Sequence, residues 1–101
     1  MLKENPLPLD IDEGNVITIR DFLWLKAKHP VGELDYATQR YGRRVCDAYT
    51  RLRKHRPYTK RFKPGGPVKV YILPDDQQLL FDVYAEWHRS ELLKRYQSIT
   101  E

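Results

Sequence analysis

Apolar positions along this chain change their spacing twice, and each change marks a change of element. Ile19, Phe22, Leu23 and Ala27 fall on one face of a helix, opened by Thr18 and Asp21 in the spacing of a capping box and closed before Pro30. A second helix is predicted from Gly32 or Glu33, with Leu34 and Ala37 inward, Glu33 and Asp35 at its positive end, and a stop at Gly42. The third runs from Arg43 or Arg44 to about His55, because Val45, Ala48, Tyr49 and Leu52 repeat at helical intervals and Pro57 ends the pattern.

After Pro57 the period shortens. Tyr58 to Lys63 and Val68 to Leu73 are rich in aromatic and branched residues and flank Pro64-Gly65-Gly66-Pro67, so they predict a β-hairpin. Leu73-Pro74-Asp75-Asp76 then opens a long helix, with proline tolerated in a first turn and aspartates as caps, running to about Ser98. That helix carries two apolar stripes. Leu80, Val83, Tyr84 and Trp87 form the first, while Phe81, Ala85, Leu92, Tyr96 and Ile99 form a second displaced around the helix, with Leu79 and Leu93 beside them. One small domain cannot cover both, so Phe81, Ala85, Leu92, Leu93, Tyr96 and Ile99 are assigned to an interface with a second copy of the chain.

Residues 1–15 contain Pro6, Pro8 and Gly14 and carry a net charge of minus three, which favours an extended arm. The alternation of Leu7, Leu9 and Ile11 lets that arm either extend freely or lie as a strand against its own body or a partner. The chain thus divides into an arm (1–15), a mixed α+β domain (16–73) and a C-terminal dimerisation helix (74–101). At 101 residues it is long enough for one core, and its 41% apolar and 32% charged residues make that core a small one.

Charge changes the picture most. Eleven of the eighteen Lys and Arg lie between Arg40 and Lys69 with one acid, Asp47, whereas the rest of the chain holds seven bases against thirteen acids. A field polarised in this way attracts phosphate backbones. Other chemistry is excluded more readily than it is found. The single Cys46 rules out an internal disulfide and a cysteine zinc site and reads as a structural thiol on the inner side of its helix. His29, His55 and His88 are scattered without metal-like spacing and read as surface or hinge positions. Gly65-Gly66 is a turn and not a phosphate loop, and no nucleophile stands near a base, so no enzyme, metal or cofactor is expected. No run approaches the about eighteen apolar residues of a membrane span, and the N-terminus is acidic where a signal peptide is basic. A cytoplasmic protein is expected.

The order of helix, short helix, turn at Gly42, basic amphipathic helix, hairpin and long helix resembles the winged helix-turn-helix of small prokaryotic regulators, such as the MarR, ArsR and PadR groups, over residues 16–98. Ala37 and Gly42 stand for the small residue and the turn glycine of that motif, although in its familiar spacing the glycine follows four residues after the alanine, where this chain has Tyr41. The resemblance implies a recognition helix entering the major groove by its N-terminal half. Arg43, Arg44, Asp47, Thr50 and Arg51 are its candidate base contacts, with Arg40 and Lys54 on the same basic surface. Arginine pairs bidentately with guanine, Thr meets either base edges or the thymine methyl, and Asp47 accepts from cytosine or holds a neighbouring arginine. Lys60, Arg61, Lys63 and Lys69 form a basic wing for the backbone or minor groove. The reading is a homodimeric, sequence-specific transcriptional regulator of double-stranded DNA with no evident small-molecule effector. The alternatives are an architectural or partition-type protein that coats DNA with little sequence preference, and a module that binds the acidic surface of a partner protein.

Overall fold

The computed structural model describes residues 5–8, 10–62 and 65–100, and for Glu13 and residues 97–100 the backbone alone. Three helices pack on a three-stranded antiparallel sheet, an α+β arrangement. Strand β1 (Val16–Thr18) leads directly into α1, which begins as Ile19–Asp21 and continues as a π turn over Phe22–Lys26. The predicted cap is present: Thr18 Oγ1 accepts from the Asp21 amide at 3.2 Å. A 3₁₀ turn, Val31–Glu33, feeds α2 (Leu34–Arg53), and β2 (Tyr58–Arg61), β3 (Pro67–Ile72) and α3 (Gln77–Thr100) follow. Strand β3 is central, in the order β1-β3-β2, with Ile17 opposite Tyr71 and Thr59 opposite Lys69.

The break expected at Gly42 does not exist, because α2 is one helix of twenty residues running straight through it. The reason is legible in its buried positions. Leu34, Ala37, Tyr41, Val45 and Tyr49 are spaced by three or four residues throughout, so one apolar stripe crosses Gly42 without losing phase. Tyr41, which breaks the glycine spacing of the motif, is the centre of that stripe: it is fully buried, and its hydroxyl donates to the Leu80 carbonyl at 2.6 Å. Among the described glycines the positive φ belongs to Gly65 in the hairpin loop and not to Gly42. What stands against Gly42 is Ile19 of α1, whose Cγ2 lies 3.6 Å from where a Cβ would be. The second and third helices of the sequence reading are therefore a single element. Leu52, expected inward, is exposed in its last turn, and Lys54 ends the helix in the left-handed conformation (φ 66°) with its amide on the Thr50 carbonyl at 2.9 Å.

At the far end of α2, Arg53 reaches Asp76, which is almost wholly buried, with Nη2 and Oδ1 3.0 Å apart. The other carboxylate oxygen of Asp76 accepts from the Ile72 amide at 2.9 Å, and its own amide returns to the Ile72 carbonyl at 2.8 Å. One side chain thus fastens the end of α2 and the end of β3 to the start of α3. The Asp76 carboxylate, expected as a helix cap, is turned back to the Ile72 amide and Arg53, and α3 begins at Gln77 after a turn over residues 73–76.

The inner stripe of α3 behaves as expected: Leu80 and Trp87 are buried, and Val83 and Tyr84 pack against the core. The second stripe is not covered by the chain itself. Ala85 is exposed, Leu92, Leu93 and Tyr96 are half or more exposed, and Phe81 is partly covered by the Phe22 ring at 4.9 Å. The Ile99 side chain lies outside the described residues. The arm docks where it is described: Thr59 donates from its amide to the Asn5 carbonyl at 2.8 Å and accepts from the Leu7 amide at 3.2 Å, so the arm shields the outer edge of β2. Leu9, part of the alternation that suggested this, is not among the described residues.

Continuity at Gly42 has a measurable consequence. A glycine inside a helix costs about 0.5–1 kcal/mol relative to alanine, and a Cβ here meets Ile19 at ordinary contact distance. Gly42→Ala is expected to stabilise the protein by about that amount and to raise the thermal midpoint by several degrees; a lowered midpoint, as at a turn glycine, would contradict the continuous helix.

Candidate nucleic-acid interface

With the stripe centred on Tyr41 buried, helical geometry turns Arg40, Arg43, Asp47 and Arg51 outward, and all four are exposed. At 1.5 Å rise per residue they span about 16 Å along α2. None of them makes an ion pair among the described residues. Arg40 lies over the Tyr36 ring, 5.0 Å from its centroid, which holds the guanidinium against the helix without neutralising it. Arg43 sits in the middle of the helix, so its amide is not one of the open donors of a helix start, contrary to the expected recognition geometry.

The other predicted cations do not share one surface. Arg44 is displaced toward α3, where it and Arg43 line a cleft of about 420 Å³ with Trp87 beneath. Lys94 joins them there and Glu91 opposes them. Lys94 could not be assigned from the sequence, because no spacing rule links position 94 to position 44; the packing of α3 along α2 makes them neighbours. Arg53 is engaged by Asp76 and serves the fold. Thr50 is half-buried, and its carbonyl caps Lys54.

In the hairpin, strand alternation divides the wing. Thr59 pairs with Lys69 and Lys60 with Val68, so Lys69 and Arg61 belong to one face of the ribbon and Lys60 to the other. The Lys60 ammonium lies over the Phe62 ring, 5.3 Å from its centroid. Lys63 is outside the described residues. Lys69 faces α2 across a groove of about 900 Å³, whose opposite wall includes Arg43 and Asp47. The structure thus brings together Arg43, Asp47 and Lys69 with Arg40 and Arg51 alongside, sets Arg44 against α3, and puts Lys60 with Val68 on the other face of the ribbon from Lys69. Lys54 remains exposed at the end of α2, where its charge also suits the negative end of the helix.

Away from this face, His29, read as a surface or hinge position, is buried in the turn between two helices and so is not a surface residue. His29 lies under the turn between α1 and α2, with Nδ1 2.8 Å from the Tyr84 hydroxyl and its ring 5.7 Å from Trp87. Burial lowers its pKa below the ordinary value of 6.5; the nearby Glu33 opposes this, and His88 and Arg95 reinforce it. Among the described residues no group of three His, Cys, Asp or Glu is placed to hold a metal, and no helix is long and apolar enough to cross a membrane. No family model, curated protein or solved structure matches this chain.

The histidine predicts an acid limit to stability. Above pH 6.5 the imidazole is neutral in both the folded and the unfolded chain and contributes no pH dependence; as pH falls below that value the unfolded chain takes up a proton that the folded site resists, so stability declines. Urea titrations at pH 8 and pH 5.5 are expected to show this loss in the native chain and a smaller one in His29→Gln. An equal loss in both would assign it to other groups.

Proposed function

We propose that this chain is a sequence-specific binder of double-stranded DNA that acts as a homodimeric transcriptional regulator. The observation that carries the reading is the outward face of α2: three arginines with no ion-pair partner among the described residues, Arg40, Arg43 and Arg51, on a helix long enough to lie in a major groove, with Lys69 across from them. In this reading α1, the turn after it and α2 take the places of the helix-turn-helix pair, and the β2–β3 hairpin is the wing. The reading surface is then the middle of a long helix and not its first turn. Arg43 and Arg40 are offered to guanine edges, which take two parallel hydrogen bonds from a guanidinium. Asp47, one turn from both Arg43 and Arg51, orients them rather than facing phosphate itself. Lys69 and Arg61 share the face of the wing that runs beside α2 and meet the backbone.

The exposed second stripe of α3 supports the dimer. Leu92, Leu93 and Tyr96 form, with Ala85 and the edge of Phe81, an apolar strip on a helix whose other side is already packed. Two copies joined there present two α2 helices to successive major grooves, which lie about 34–36 Å apart on one side of the duplex. Binding then blocks or recruits other proteins at that site.

Selection of bound duplexes from a random pool tests the reading, with a two-fold motif expected; equal affinity for selected and random duplexes would favour a coating protein and no retention would remove DNA as the partner. On the selected duplex, Arg43→Ala is expected to lose about 1–3 kcal/mol, roughly five-fold to a hundred-fold or more, with a smaller loss on random duplex. Lys69→Ala should weaken both equally and reduce the salt slope by about 0.9. In sedimentation at micromolar concentration the native chain is expected to be dimeric, and the double change Leu92→Glu with Tyr96→Glu to give a folded monomer with the same thermal unfolding cooperativity; a native monomer would remove the dimer.

A further inference from the structure

We infer that the groove between α1, α2 and β3 is a binding site for a small amphipathic organic anion, an aromatic or aliphatic carboxylate or sulfonate. Its volume of about 900 Å³ is that of a drug-sized ligand site. Its exposed apolar surface comes from the hairpin residues Phe62 and Val68, with the buried Ile19 of α1 and Tyr71 of β3 at its base. Phe62 and Val68 are 39% and 41% exposed, although the hairpin around them is basic and has no need of apolar side chains to meet phosphate. A duplex backbone gains nothing from such a floor, whereas the body of an amphipathic molecule does.

The polar groups converge from opposite walls. Arg43 of α2 and Lys69 of β3 both line the groove, and neither has an ion-pair partner among the described residues. Arg20, also at the groove, is ion-paired with Asp35 and is not available. Asp21 and Asp47 line it too, so the space inside the groove suits a single acidic head set beside Arg43 and Lys69.

Because Arg43, Asp47 and Lys69 also belong to the proposed DNA face, an occupied groove and a bound duplex exclude each other. That last consequence rests on the DNA reading; the site itself does not. It is tested without DNA, by titrating the full chain with 8-anilinonaphthalene-1-sulfonate, an aromatic anion whose fluorescence rises in apolar surroundings. The expected result is saturable binding of one probe per chain, weakened at least several-fold by Arg43→Ala with Lys69→Ala, while the uncharged N-phenyl-1-naphthylamine is insensitive to that double change. Cys46, the chain's one cysteine, is half-buried and lines the groove, so it reports location. Its alkylation by iodoacetamide should slow several-fold at probe saturation. Absence of saturable binding, binding that leaves the Cys46 rate unchanged, or binding indifferent to the loss of both cations would each overturn the proposal. If the probe binds as expected but selected duplex is not displaced, the groove stands and the DNA face is wrong.

Discussion

The hydrogen bond from the Tyr41 hydroxyl to the Leu80 carbonyl is the contact on which the arrangement of helices depends. Tyr41 is fully buried, so its hydroxyl has no water to fall back on, and an unsatisfied group in that position costs about 1–3 kcal/mol. The bond fixes α2 against the start of α3 both along the helix and in rotation, since a turn of either helix by one residue removes donor from acceptor. Phe22 of α1 and Tyr84 and Trp87 of α3 ring the same side chain at centroid distances of 5.6–6.0 Å. Burial also holds the phenol protonated well above its ordinary range, so it remains a donor at any working pH.

Fixing the rotation of α2 is what gives its charges their directions. With Tyr41 inward, Arg43 is thrown to the opposite side and Arg44 toward α3, so two adjacent arginines that look equivalent along the chain face different surroundings. The Asp76 junction fixes the other end in the same way. By engaging Arg53 and the Ile72 amide together it sets the angle at which β3, and with it Lys69, leaves the body. The basic face and the groove beside it are therefore products of two buried polar contacts and not of the charged residues themselves.

The groove and the cleft against α3 share Arg43, and this places one side chain between two kinds of partner. On one side it adjoins Arg44 and Lys94, with Glu91 opposing them. On the other it adjoins Phe62, Val68 and Tyr71, a setting for an apolar body with one charge. A single arginine on a rigid helix can serve either, and only one at a time.

Much of the fold was legible along the chain, and the reason is local. Thr18 and Asp21 carry the start of α1 in their own chemistry, the change of period at Pro57 marks the hairpin, and Leu80, Val83, Tyr84 and Trp87 declare the inner face of α3 by their spacing alone. The amino-acid sequence by itself also determined that one segment would hold most of the positive charge and that α3 had more apolar surface than one copy buries. Gly42 misled because a glycine in a helix and a glycine in a turn have the same residue name. The choice between them was made by Ile19, twenty-three positions away, whose side chain packs over the glycine while Tyr41 fills the core beside it. His29 was read as a surface or hinge residue, and its burial was missed because it comes from Tyr84 and Trp87, more than fifty positions distant. Only the tertiary structure could decide which of the basic residues face one another, because Arg43 and Lys69, or Arg44 and Lys94, become neighbours through the packing of separate elements, and no period along the chain encodes that distance.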